Sequence, residues 1–516
     1  MLALLLVVLL PLPQAGPPPL AEILTAARRH LEASDAPAAR RELIRALDLY
    51  PDSAAVYNFL GVLEAADGNP GLAAQRFGEA IARAPRYTDA HLNLGRLHQE
   101  TGGGEGEAAA RRALAAYQAI VRYEPDHAEA RYQSATLLRM LGEYDRSLEE
   151  LDRLAPADRD RPAALGVRLA DHAARGDRKE ADATAERLLR RPDLAEPDVR
   201  PLLPVLSAHG RDDLALRLLQ ALRDRGLASP DDLQGIGLLQ EKQDRLALAR
   251  EALEAAARAR PRSVALLLDL ARVAHKQGDL EGALGYLGHA RALEPDDAKV
   301  HFFFGIVCVD MDLGAEAYSS LQEAIRLDPD NPAVNYAMGA VAMHRKDPAE
   351  AIPYFRRYSE LKPDDPRGPY AIGIAAFRAR DYATARAKLL PATERPETAA
   401  GANYLLARMA RAENDFDEAL RFAQRAVETN PEYADPYSEL GLLYLRLDRP
   451  EEAEKALERC LELDPEHYLG NMQLALLYAR TRDPRHAAQR DRFEEIKKRD
   501  VRKGIDFVRP IEVRPY

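Results

Sequence analysis

The sequence predicts an all-helical solenoid, and three observations predict it. A word of 34 residues recurs along most of the chain: Gly305, Gly339 and Gly373 stand one step apart, and so do Ala317, Ala351 and Ala385. A period of this length with small residues at fixed offsets marks stacked helical hairpins. Alanine, leucine, arginine and glutamate dominate, all strong helix formers, and tryptophan is absent. No convincing strand pattern of alternating apolar and polar residues appears. A chain of 516 residues would otherwise suggest several globular domains. Stacking removes that need, because each repeat packs only on its neighbours.

The first segment, residues 1–19, stands apart. Met1 to Leu10 is nearly all apolar, and Pro11, Pro13 and Pro17 to Pro19 end any helix. Gln14-Ala15-Gly16 offers small residues for cleavage, so the segment reads as a secretory signal peptide. Its apolar run is shorter than the roughly 20 residues of a membrane span. No lysine or arginine precedes that run, the first basic residue being Arg28. Two readings stay open: a periplasmic or secreted protein, or a cytoplasmic one with an apolar N-terminus. Export places the mature N-terminus between Ala15 and Leu20, which sequencing the protein from its host will show. An intact Met1 in the soluble cytoplasmic fraction would reject export.

Residues 298–331 serve as the type repeat. A first helix is expected from about Ala298 to Asp310 and a second from about Ala315 to Leu327. His301, Phe304, Gly305 and Cys308 share one helical face, and Ala317, Leu321 and Ala324 share another. Gly305 and Ala317 are small where the two helices cross. Asp328-Pro329-Asp330 ends the second helix, since a proline disfavours helix at the residue before it. Asn331-Pro332 opens the next repeat with a capping side chain and a proline tolerated in the first turn.

This pattern resembles the tetratricopeptide repeat family. That family has a small residue eight positions in, alanine at twenty, a bulky residue at twenty-four, alanine at twenty-seven and proline at thirty-two. Gly61, Ala73, Phe77, Ala80 and Pro85 fit it, as do Gly441, Ala453, Leu457, Cys460 and Pro465. About fourteen repeats begin near 20, 54, 88, 128, 163, 196, 230, 264, 298, 332, 366, 400, 434 and 468. The resemblance implies a right-handed superhelix of about twenty-eight helices, and a protein-binding scaffold rather than an enzyme. The arginine-rich, lysine-poor composition suits a bacterium of high genomic GC content.

The repeats divide the chain into an N-terminal arm, 20–162, a poorly matching stretch, 163–229, and a C-terminal arm, 230–500. In the poor stretch Ala170 and Leu203 stand where the glycine belongs, and Pro201 and Pro204 enter a first helix. It is either a loosened joint or ordinary repeat degeneracy. Gly102-Gly103-Gly104-Glu105-Gly106-Glu107 is an insertion, expected to widen the turn within its repeat. The repeat from 468 carries Asp491 in place of the bulky residue and reads as a capping unit. The tail, 501–516, leaves the period and reads as disordered or as lying extended along a neighbouring surface.

Several functions are excluded by composition and spacing. The formal net charge of −11 argues against a general nucleic-acid binder. The two cysteines, Cys308 and Cys460, lie more than four repeats apart, too far for a disulfide. No metal-ligand spacing appears, and the twelve histidines belong to no triad. No cofactor is expected. Asp328-Pro329-Asp330-Asn331 lacks the glycine and closing glutamate of a calcium loop.

A stripe beside the packed one on each first helix is the candidate groove. In the type repeat it holds Lys299, Phe302, Ile306 and Val309. One step on, Phe302 becomes Tyr336, then Tyr370 and Tyr404, with Tyr132 in an early repeat. Arg272, Lys299, Arg367, Arg408 and Arg411 add charge, with Lys276, Arg378, Arg446 and Arg480 at similar positions. Asp269, Asp310, Asp435 and Glu439 are the acids among them. The candidate partner is therefore an extended, anionic peptide segment held against Arg272, Lys299, Phe302, Tyr336, Arg367, Tyr370, Tyr404, Arg408 and Arg411. Family consensus packing of the rings is the alternative. At the whole-protein level the choice lies between a peptide-binding adaptor and a structural part of a bacterial envelope machine for pilus assembly, outer-membrane insertion or polysaccharide export.

Overall fold

The computed structural model describes residues 19–500, apart from 34, 103–105 and 346. The leader, the tail and the centre of the glycine-rich insertion lie outside the described residues. Among the described residues there are thirty helices and no strand. No described helix is long and apolar enough to cross a membrane. Two compact bodies divide between Leu239 and Gln240, inside the helix Pro230–Lys242. Residues 163–229 therefore lie wholly within the first body.

The type repeat folds as its residues dictate, with helices Ala298–Asp310 and Gly314–Leu327. The Asn331 side chain accepts from the Ala333 and Val334 amides (3.0 and 3.3 Å), and Pro332 sits in the first turn. Small residues open the crossing between paired helices. A Cβ on Gly305 would lie 2.7 Å from Leu321, and one on Gly339 would lie 2.6 Å from the Phe355 ring.

Between the two helices of a repeat the chain passes through one left-handed residue. These are Gly142, Gly176, Gly210, Asp244, Gly278, Asp312, Arg380, Asn414, Asp448 and Arg482, with φ from 55° to 78°. They follow one another at 34 residues, save that 346 lies outside the described residues. Glycine adopts this conformation freely, and asparagine and aspartate tolerate it better than most residues. The step runs unbroken through Gly176 and Gly210, so the two poorly matching repeats keep the backbone register.

A second recurrence was not read from the sequence. Four residues into a repeat, a polar side chain reaches the carbonyl of the proline six residues earlier. His91, His301, Asn335 and Asn471 do so at 3.0, 2.7, 2.9 and 3.2 Å, on Pro85, Pro295, Pro329 and Pro465. Arg131 and Tyr437 do the same on Pro125 and Pro431. A proline carbonyl at the repeat junction is beyond the helix ladder, and this bond satisfies it.

Residues 163–229 form Pro162–Arg175, Arg178–Leu189, two short helices Glu196–Val199 and Leu202–Ala208, and Asp212–Asp224. Pro201 falls between the two short helices, where a missing amide costs no helix bond. Leu165, Leu169, Leu188, Leu206 and Leu218 give this stretch its own core. The second helix of the insertion's repeat, Gly106–Tyr123, has 18 residues against 14 in Pro70–Arg83, so part of the added chain lengthens a helix. In the last helix, His486–Asp500, Ile496 is the one described side chain that is buried, and Asp491 is exposed.

Cys308 and Cys460 are buried, and burial pushes their thiols up to about 11 and about 12. Neither should react with a thiol reagent at pH 8 while the chain is folded. Both should react once denaturant is added, and mass spectrometry of the labelled protein will count them.

Candidate binding surface

The first helices of the second body do not leave their expected stripe open. Phe302, Tyr336 and Tyr404 are 8, 6 and 2 % exposed. Tyr336 packs on Phe355 and Tyr358, with ring centroids 5.4 and 5.0 Å apart. Tyr404 meets Tyr433 at 5.6 Å. Burial pushes the phenols of Tyr336 and Tyr404 up, and that of Tyr370 to about 12. Tyr370 is the one half-buried rung. The aromatic ladder is packing between successive repeats. As a track of flat contact for a ligand it is corrected, because neighbouring helices already cover three of its four rings.

The cations remain nearer the surface, and most are engaged. Arg272 pairs with Asp269 and with Glu241, a buried acid that also binds Lys276 at 2.8 Å. Arg367 grips both oxygens of Asp365, whose carboxyl this guanidinium holds down at about 2. Arg411 pairs with buried Glu439. The Arg408 guanidinium lies 5.1 Å over Phe377 and 5.5 Å over Tyr404. Lys299 is exposed and makes no ion pair among the described residues. The nine expected residues thus share one set of helices but form no single open groove.

A cross-repeat rule that the sequence reading missed organises the edge of these helices. Residues 35 apart touch at the C-terminal ends of successive first helices. His275 meets Asp310 at 2.6 Å, and Arg378 and Arg480 donate to the Met343 and Leu445 carbonyls at 3.3 and 3.2 Å. The Asn93 amide donates to Asn58 at 3.0 Å in the same spacing near the N-terminus. One repeat plus one residue is the solenoid's counterpart of the helical i, i+4 step, and it could have paired these residues from the sequence. The result is a cationic edge: Arg378 half-buried, Arg446 and Arg480 exposed, each one or two repeats from the last. Arg411 stands beside them one residue out of step. Arg446 makes no ion pair among the described residues.

Two open clefts lie elsewhere. One, of about 650 Å³, is lined by Leu361 to Arg367 and Glu397. The other, of about 910 Å³, lies among Arg291, His301, Phe304, Glu316 and Arg326. Among the described residues no cluster of histidine, cysteine and acid side chains could hold a metal.

Three family models described as tetratricopeptide repeat match residues 24–75, 105–169, 241–301, 314–373, 397–466 and 438–499. Together they cover about two thirds of the chain. A comparison with curated proteins finds no match. Among solved structures, the chain is similar to one in the APC/C hetero-tetramer Cut9–Hcn1, at 14 % identity over 89 % of this chain and 96 % of that one, TM-score 0.39. It is similar to yeast Tom70, at 16 % identity over 93 % and 91 %, TM-score 0.36. It is also similar to YrrB, described as a TPR protein with an unusual peptide-binding site, at 22 % identity over 43 % and 96 %, TM-score 0.27.

Proposed function

Because this chain belongs to the tetratricopeptide repeat family, we propose that it is a non-enzymatic scaffold that holds an extended acidic segment of a partner protein. The segment lies along the C-terminal ends of the first helices in the last repeats. One observation carries this reading: the arginine edge of Arg378, Arg446 and Arg480, set at the repeat step with Arg411 beside it. A guanidinium presents a planar fork that binds two carboxylate oxygens at once. Helix C-termini favour cations and keep them there in the unbound state. An extended chain passing these ends would meet one arginine per repeat. Exposed pairs contribute about 0–1 kcal/mol each, so affinity requires several together. The apolar leader supports an exported location for this scaffold, which the N-terminal sequencing above tests.

The test is the double reversal Arg446→Glu with Arg480→Glu. Binding of an extended glutamate-rich peptide, and of any partner captured from envelope extract, should weaken at least about tenfold, the equivalent of ~1.4 kcal/mol. Raising salt should weaken the native protein's binding too, since exposed charges are screened beyond ~8–10 Å. Reversal at Arg411 is the poorer test, because it would set a new carboxylate against buried Glu439, whereas Asp448, the ion-pair partner of Arg480, is exposed. Unchanged affinity in the double variant, with the helical signal intact, would reject this edge as the binding site.

A further inference from the structure

Three departures from the 34-residue period meet in the larger cleft of the second body. Its volume of about 910 Å³ falls within the roughly 300–1,000 Å³ of small-ligand sites. Arg291, His301, Phe304, Glu316 and Ser320 are among the residues that line it. The first departure is Ser320: the repeats on either side place Tyr286 and Tyr354 there, so the serine leaves the space of a ring open. The second is Arg291, whose counterparts in the adjacent repeats are Ala257 and Ile325. Its guanidinium lies 4.1 Å over the Phe304 ring, is half-buried and makes no ion pair among the described residues. The third is Leu284. One repeat on, Tyr318 stands in its place and donates to Glu350; with leucine there, Glu316 has no such donor and makes no ion pair among the described residues. The floor adds a fourth unmet group. His301 is 8 % exposed, and its Nε2 lies 2.7 Å from the Pro295 carbonyl. A carbonyl only accepts, so Nε2 carries the proton and Nδ1 is left a buried acceptor without a partner. Such an atom is rare in a folded chain. The remaining charges of the cleft, Arg326 and Glu323, neutralise each other at 2.5 Å.

We propose that this cleft binds a free aromatic α-amino acid. The ligand's carboxylate pairs with Arg291, whose planar fork takes two oxygens at once. Its ammonium meets Glu316 and supplies the hydrogen that His301 Nδ1 lacks. Its ring fills the space that Tyr286 and Tyr354 fill in the adjacent repeats, beside Phe304. A simple carboxylate would leave Glu316 and Nδ1 unmet, and a simple amine would leave Arg291 unmet. A zwitterion with a flat apolar body answers all four features, the complementarity that gives a site its specificity. Glu316 is exposed and Arg291 only half-buried, so no single pair suffices and the contacts act together. The inference is independent of the arginine edge, whose residues stand on other helices.

Titration calorimetry of the full-length protein with L-phenylalanine tests this. One saturable site should appear, with a Kd at or below ~1 mM. N-acetyl-phenylalanine lacks the ammonium and phenylalanine amide lacks the carboxylate, and each should bind at least about tenfold more weakly. Three variants borrow the residues of neighbouring repeats, so the fold should accept them: Ser320→Tyr, Arg291→Ile and His301→Asn. The last keeps the proline contact, as Asn335 does on Pro329. Each, and Glu316→Gln, should weaken binding of L-phenylalanine at least about tenfold with the circular dichroism unchanged. The double reversal of Arg446 and Arg480 should bind it as the native protein does. Three results would overturn the proposal: no saturable heat, blocked analogues that bind as well as the free amino acid, or native affinity in a folded Arg291→Ile or Ser320→Tyr protein.

Discussion

Replacing Asp171 with asparagine should stabilise the first body at pH 8 by about 3–5 kcal/mol, and should leave it little changed at pH 4. Asp171 sits in Pro162–Arg175 with none of its surface exposed. Neither carboxylate oxygen has a hydrogen-bond partner among the described residues. The nearby Ser147 hydroxyl gives its proton to the Ala135 carbonyl instead, at 2.8 Å. Burial raises the carboxyl from 3.8 to about 7, against the opposing pull of Ser147, Arg139, Arg168 and Arg175. The folded state therefore holds this proton more tightly than the unfolded chain does. The stability that follows is complete below about pH 4 and is lost as pH climbs through about 7. Above that, folding buries a carboxylate that water would solvate. Asparagine carries no such charge at any pH. Hydrogen exchange of the helices Ala128–Met140 and Pro162–Arg175 should read this directly. Corrected for intrinsic rates, native protection should fall between pH 5 and 8, and the Asp171→Asn chain should show no such fall. Equal pH dependence in both proteins would mean that the carboxylate finds a partner or water.

The second large effect lies at a helix crossing. Gly339→Ala should destabilise its repeat by about 1–3 kcal/mol, although alanine is the better helix former. The added methyl would stand 2.6 Å from a Phe355 ring that is itself 4 % exposed. Phe355→Leu alone should cost less than full truncation, because Gly305 and Gly373 already pack on Leu321 and Leu389 at the same place. Phe355→Ala alone should cost about 3–5 kcal/mol through the cavity it leaves. The pair Gly339→Ala with Phe355→Ala should then cost clearly less than the sum of its parts. The repeat from 400 already carries this arrangement, with Ala407 and Ala423 in the two positions, both fully buried. Thermal unfolding of the four proteins completes the cycle, and simple additivity would show that the two sites do not touch.

Much of this architecture was legible because it is local. The glycine at the crossing, the asparagine cap at 331 and the proline at 329 act on neighbours within one repeat, and a sequence displays those distances. The helix Ala298–Asp310 came out at the expected bounds for that reason. The candidate surface was legible only in part. Whether Tyr404 faces a partner or a neighbour depends on how closely successive repeats wind, and no single helix encodes that. The pairing of Arg272 with Glu241 spans 31 residues, and that of Arg411 with Glu439 spans 28, so neither shows in a helical wheel. Asp171 was invisible for another reason. It occupies one poorly matching repeat, and periodicity says nothing about an exception.

The series of left-handed turns bears on how such a chain can change its length. Each of these turns offers the same backbone geometry whatever side chains surround it, so a cassette of 34 residues cut between Gly278 and Asp312, or between Arg380 and Asn414, has matching ends. Duplication or loss of a cassette needs no new linker, and the fold grows in quanta. The excess residues at 102–107 show the other route: material that is not a whole quantum was absorbed inside one hairpin, partly by its second helix, and the junctions beyond it kept their cadence.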